Sequence, residues 1–171
     1  ELALDCKKLT GRMQIRILQI RDYAERKQTS AVSRLAQQAL TPIYGGTRYG
    51  ADPRSDVRMR RIADHARAVV FCIGDGVLPG NEERNYVVRK ILRRAIRDGY
   101  ELGIEDPFLF TLASVVGSSM GEVYPELASH RSTVETAIRG EEERFREVYV
   151  RGRNFLDERM ERARAGGRGV F

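Results

Sequence analysis

Apolar residues recur at helical rather than strand spacing along most of this chain. Ile62, Ala66, Val69, Val70 and Ile73 fall at i, i+4, i+7, i+8 and i+11, which puts one apolar face on a helix over about 57–73. Gly74-Asp75-Gly76 and Pro79-Gly80 end it in a tight loop. Asn81 reads as the N-cap of the next helix, with Glu82 and Glu83 in its first turn, where the helix dipole favours negative charge. That helix is predicted to reach about 102, with Gly103 closing it. Asp106-Pro107 gives another start, a cap followed by proline at the first helical position, for a helix to about 120. Gly121 and Pro125 break the chain again. A long final helix then extends to about 165, with Val134, Ile138, Phe145, Val148, Phe155 and Leu156 at helical spacing and Glu141-Glu142-Glu143 facing water. Gly140 and Gly152 each cost this helix about 1 kcal/mol relative to alanine.

Upstream, 7–40 has no internal glycine or proline after Gly11 and predicts one or two helices. Residues 41–56 hold Pro42, Pro53, Gly45, Gly46 and Gly50 and predict a surface loop. No stretch alternates as a strand would, and no tandem repeat is present. The expected fold is all-α, a helical bundle of about five to seven helices with a long C-terminal helix.

The 171 residues suffice for one domain with a real core. Charge changes the picture more than size does. Thirty Lys+Arg stand against 24 Asp+Glu, a net +6 with a pI near 9.6, and the placement of that excess matters more than its amount. No apolar run approaches the roughly 20 residues of a membrane span and no secretory leader is visible, so a cytoplasmic location is expected. The chain starts at Glu1 and stops at Val170-Phe171, so both ends read as cut from something longer, although a trimmed whole protein would look the same. Two cysteines cannot form a disulfide framework, and Cys72, inside an apolar run, reads as a small buried hydrophobe.

The excess positive charge concentrates on the helix over 81–102. With Arg89 at 0° and about 100° per residue, Arg93 falls near about 40°, Arg97 about 80°, Lys90 about 100° and Arg94 about 140°. Val87, Ile91, Ala95, Val88, Leu92 and Ile96 fill the remaining arc. Five cations therefore share one face, and no acid intervenes between Arg84 and Arg97. An ordinary solvated face mixes signs, because like charges at i, i+4 repel by a few tenths of a kcal/mol. A polyanion neutralises such a stripe, and the arginine fork suits phosphate. Asn81, at the head of this helix, presents an amide with both donor and acceptor, as reading a base edge requires. Its simpler role is the cap alone.

Several linked motifs carry a resemblance. Arg61-Ile62-Ala63-Asp64-His65-Ala66-Arg67 is followed by Asp75-Gly76-Val77-Leu78-Pro79, then Asn81-Glu82-Glu83-Arg84-Asn85-Tyr86-Val87, then Arg89-Lys90-Ile91-Leu92-Arg93-Arg94-Ala95-Ile96-Arg97 and Gly99-Tyr100. This order resembles the alanyl-tRNA synthetase family, with its R-x-I-A-D-H-x-R helix, D-G-V-x-P-S-N-E loop and R-G-Y-x-L-R-R-x-x-R-R-A helix. The similarity continues through Tyr124-Pro125-Glu126-Leu127 and Glu141-Glu142-Glu143-Arg144-Phe145, so that 49–171 reads as the tRNA-recognition helical domain and 1–48 as a poorly matched helical segment and loop.

The resemblance implies a helical region that follows a class II catalytic domain and grips the acceptor stem of tRNA(Ala), with the rest of the synthetase on both sides. It implies that Asn81 helps read a G·U wobble pair, and that Arg84, Arg89, Lys90, Arg93, Arg94 and Arg97 bind the RNA. The parent enzyme would use ATP and Mg2+, neither held by this chain. The family's serine is Gly80 here, its glycine after the loop arginine is Asn85, and one arginine is Lys90. Its ATP-site signature, Asp-Thr-Gly-x-Gly-x-Glu-Arg, is not reproduced by Thr10-Gly11-Arg12-Met13, so no catalytic residue is carried over and the chain alone is expected to be inactive. A second base-reading aspartate of the family would fall just beyond Phe171.

The other constellations read as structural. His65 and Cys72 are too few for zinc, so no metal site is expected, and His65 reads as a hydrogen-bonded residue at the edge of the core. Asp64 should pair with Arg60, Arg61 or Arg67, while Asp75 shapes its glycine loop. The alternatives are a free-standing RNA-binding helical domain without ligase activity, and a structural bundle whose basic face meets an acidic protein.

Overall fold

The computed structural model describes residues 49–165; the helices expected over 7–40 lie outside them. Within that span the protein is all-α: five α-helices and a 3-10 turn, with no strand among the described residues. They are α1 (Pro53–Gly74), α2 (Glu83–Glu101), α3 (Leu112–Met120), α4 (Glu126–Ser129) and α5 (Arg131–Ala165), with the 3-10 turn Leu109–Thr111 leading into α3.

Helix α1 begins earlier than apolar spacing suggests. Pro53, which reads as a loop breaker, is instead its first residue, where a missing N–H costs nothing. Asp52 caps it, accepting from the backbone N–H of Ser55 at 2.9 Å and from the Ser55 hydroxyl at 2.7 Å. At the other end Gly76, at φ +84°, closes the helix: its N–H donates to the Ile73 carbonyl, and the Val77 N–H donates to that of Cys72, both at 2.9 Å. The tight return lays α2 against α1, and Met59, Ile62 and Val69 of α1 join Val88, Leu92 and Ala95 of α2 in the fully buried centre. Truncating Ile62 or Leu92 to alanine there would cost about 2–5 kcal/mol. Gly103, at φ +83°, closes α2 as expected, with the Ile104 N–H donating to the Gly99 carbonyl.

Asp106-Pro107 does not start a helix. The next two backbone N–H groups, of Phe108 and Leu109, instead donate to the carboxylate of Glu142 at 2.9 and 3.0 Å, and the chain turns helical only from the 3-10 turn at Leu109. Phe108 drops against α2 where only a glycine fits, since a Cβ on Gly99 would stand 2.3 Å from the Phe108 ring.

Glu141 and Glu142 are not on a water-facing side. Both are at most 1% exposed, and only Glu143 of that triplet is exposed. The reason is periodicity: Val134, Ile138, Glu141, Glu142 and Phe145 sit at i, i+4, i+7, i+8 and i+11, one stripe turned to the core. Beyond Phe145 no described residue of α5 is buried, and Val148, Phe155 and Leu156 are each more than half exposed.

Candidate nucleic-acid interface

The basic face lies on α2, and the loop that precedes it sets its near end. Glu82, not Asn81, is the N-cap: the Tyr86 N–H donates to the Glu82 carbonyl at 3.0 Å, and no side chain caps the helix. Asn81 stands one residue outside, exposed, its side-chain oxygen accepting a hydrogen bond from Nη1 of Arg89. The loop is tied to the helix by a bond from the Gly80 N–H to the Asn85 carbonyl at 3.0 Å. Glu83 begins the helix at φ 41°, a left-handed conformation that a residue with a Cβ adopts at a cost. Residues Gly80 to Asn85 line a concavity of about 440 Å³, with Arg84 on its wall.

Further along α2, Lys90, Arg93, Arg94 and Arg97 surround a second concavity of about 330 Å³ whose remaining wall is the ring of Phe145. The five cations of the helical projection are not equivalent. Arg93 donates through Nε to Glu141 at 2.8 Å, and its guanidinium lies 5.2 Å from the Phe145 ring centroid. Arg89, with a side chain 17% exposed, sits 3.2 Å from the same Glu141 oxygen. Arg144 reaches the other oxygen, also at 3.2 Å. One buried carboxylate thus faces three arginines. Lys90 lies over the Tyr86 ring at 5.5 Å, while Arg94 and Arg97 make no ion pair among the described residues, so these three cations are the ones open to an anion.

Sequence reasoning found the cations and missed the acid that organises them. Glu141 comes from α5, 48 residues beyond Arg93, so no reading of α2 alone could place it. The signal was its position in the apolar stripe of α5. The aromatic edge was missed as well: Tyr100 and Tyr149 stack at 4.7 Å, with Phe145 at 5.8 Å from Tyr149.

Around this face several ionisable groups are paired or buried within the fold. Arg61 grips the buried Asp98 with both ends of its fork, and Arg67 pairs with Asp64 at 2.5 Å. His65 shares a 2.6 Å contact between Nδ1 and the Arg61 carbonyl, which requires Nδ1 to carry the proton, and burial lowers its pKa to about 4. Cys72 is buried and its thiol is pushed up to about 12 by that burial. Burial also raises the Glu142 carboxyl above its ordinary range, against the pull of the backbone N–H groups of Leu109, Phe108 and Phe110. Among the described residues no group of three or more His, Cys, Asp or Glu could hold a metal ion, and no helix is long and apolar enough to cross a membrane.

Known proteins place this architecture. Residues 3–168 match the family described as tRNA synthetases class II (A). The alanine–tRNA ligase of Pelotomaculum thermopropionicum is 50% identical over 125 residues, 73% of this chain and 14% of the relative. That of Geobacillus thermodenitrificans is 47% identical over 131 residues, 77% and 15%. That of Desulforudis audaxviator is 47% identical over 126 residues, 74% and 14%. The chain therefore spans about one seventh of the length of these curated relatives. It belongs to the family of class II (A) tRNA synthetases.

Proposed function

We propose that this chain is the tRNA-recognition part of an alanine–tRNA ligase, with residues 49–171 gripping the acceptor stem of tRNA(Ala). The observation that carries the reading is the run of cations without an ion pair among the described residues, Arg94 and Arg97 with Lys90 beside them, on one helix face directly behind a loop that exposes Asn81. A-form RNA offers a wide, shallow minor groove between its phosphate ridges. A basic helix lying along one ridge brings the loop amide over the base edges. Arg84, at the mouth of the loop, adds a further phosphate contact, while Arg89 and Arg93 act from their seat on Glu141.

In this reading the whole enzyme activates alanine with ATP and Mg2+ and transfers it to the tRNA 3′ end in the cytoplasm. The described residues bind and orient RNA, and no chemical step is assigned to them. The rest of the synthetase on both sides supplies the chemistry. The test is titration of the 171-residue chain with two acceptor-stem hairpins that differ only in a wobble or a Watson–Crick pair. Salt-sensitive binding of both and tighter binding of the wobble stem are expected, together with no alanine-dependent pyrophosphate exchange. Failure to bind either hairpin at low salt overturns the reading.

A further inference from the structure

Because Asn81 is not a helix cap in this fold, some other contact must fix its amide. That contact is Arg89, whose guanidinium meets three groups at once. Nη1 donates to the Asn81 side-chain oxygen, Nη2 lies 3.5 Å from the Pro79 carbonyl, and Nε lies 3.2 Å from Glu141 Oε1. The last contact lacks hydrogen-bond alignment, so charge rather than a directed bond holds it. Glu141 is fully buried and is itself fixed by Arg93 at 2.8 Å and Arg144 at 3.2 Å. A buried anion is tolerated only with its partners in place, so the cluster resists rearrangement.

Arginine has donors and no acceptor. The Asn81 amide must therefore turn its oxygen inward to Arg89, which leaves its NH2 group facing out of the loop. We propose that Glu141, acting through Arg89, is a positioning residue for Asn81: it locks the amide so that a hydrogen-bond donor faces the RNA. The group this donor takes is an acceptor on the minor-groove edge of a base pair, a ring nitrogen or a carbonyl oxygen. The assignment rests on the RNA-binding reading and adds to it a polarity and a cause. It also divides the basic face by task, with Arg89 and Arg93 setting geometry and Lys90, Arg94 and Arg97 supplying phosphate contacts.

The experiment compares the full 171-residue chain with its Glu141→Gln and Arg89→Lys variants on the two hairpins. A base-edge contact predicts a wild-type preference on the order of 5- to 150-fold. Glu141→Gln removes the charge that seats Arg89 and Arg93. Its preference should fall to near one while affinity for both hairpins rises at low salt, with a salt slope steeper by about 1.4–1.8 as Arg89 and Arg93 are released. Arg89→Lys keeps the charge but cannot span Asn81 and Glu141, so it should lose the preference at little change in overall affinity. A purely structural role would lower stability and leave the preference of the folded molecules intact, which overturns the proposal. So does a wild type that binds both hairpins equally. If Glu141→Gln does not fold, Arg89→Lys alone decides. Failure of the underlying reading looks different: Arg94→Ala would then leave the affinity for both hairpins unchanged.

Discussion

Gly80 and Asn85 occupy one another's space: a Cβ at residue 80 would stand 2.6 Å from the Cβ of Asn85, closer than such atoms come. The Gly80 N–H donates to the Asn85 carbonyl at 3.0 Å, so the backbone cannot easily open to relieve the contact. In the motif this chain resembles, serine and glycine stand at these two positions. Here the bulk has moved from one side of the contact to the other, and the two departures compensate. Gly80→Ser alone should lower stability by about 1–3 kcal/mol. The same change in an Asn85→Gly background should cost little, with a coupling of about 0.5–3 kcal/mol in a double-mutant cycle by urea unfolding. Additive effects would show that the loop relaxes independently of the helix.

Glu83 is a second strained point of the same turn, at φ 41°. Its Cβ carries the left-handed penalty that glycine avoids, while its carboxylate is favoured by the helix N-terminus. Glu83→Gly should raise stability by about 1 kcal/mol if the backbone term prevails. Thermal unfolding of the two proteins side by side measures this, and a lower midpoint for the variant would mean that the charge at the helix start outweighs the strain.

His65 links stability to acid. Its folded pKa of about 4 lies below the ordinary 6.5, chiefly through burial. A depressed value means that the unfolded chain takes up the proton first. The stabilisation is therefore complete above pH 6.5 and lost as pH falls towards 4, by up to about 3 kcal/mol. Relative to His65→Gln, the wild type should lose that much across the window, and its ring resonances should stay those of the neutral imidazole to below pH 5. An ordinary titration near 6.5 by NMR would contradict the burial.

Glu142 acts with the opposite sign. Its raised pKa means that the native state holds the proton more tightly than the unfolded chain, whose value is 4.5. The contribution is complete below that value and declines as pH rises through the folded one. Wild-type stability relative to Glu142→Gln should fall as pH rises above about 4.5. Glu142→Ala should cost about 2–4 kcal/mol at any pH, since the N–H groups of Phe108 and Leu109 lose their acceptor. A flat pH profile for the wild-type and Gln pair would show that water reaches the carboxylate.

Local signals were legible and distant ones were not. The apolar faces of α1 and α2, the turn at Gly76 and the stop at Gly103 depend on residues within one helical turn, and the sequence predicts each. Asn81 as a cap and Asp106-Pro107 as a helix start are equally sound local readings, yet both fail. In each case a charged side chain from elsewhere, Arg89 or Glu142, satisfies the groups that the local motif would have used. Glu141 and Glu142 were misread by composition, as acids belong outside, although their spacing with Val134 and Ile138 places them inside. The basic stripe itself was visible on α2. Its division into paired and open cations required the acid of α5.

That division can be measured with salt. If all five cations of the stripe met phosphate, the logarithm of the binding constant would fall with the logarithm of salt concentration at a slope of about −3.5 to −4.5. With Arg89 and Arg93 held at Glu141, the three open cations of the stripe give about −2.1 to −2.7, and in either case the Arg84 contact adds about −0.7 to −0.9. Arg97 is the cleanest probe, because it is exposed and forms no ion pair among the described residues. Arg97→Ala should flatten the slope by about 0.7–0.9 and weaken the wobble and Watson–Crick hairpins equally. Its stability should stay within about 0.5 kcal/mol of the wild type. Arg93→Ala should behave differently: it leaves Glu141 with one fewer partner, lowers stability by about 2–4 kcal/mol and changes the slope little. Equal slope changes for Arg93→Ala and Arg97→Ala would mean that Arg93 leaves Glu141 for a phosphate when RNA binds.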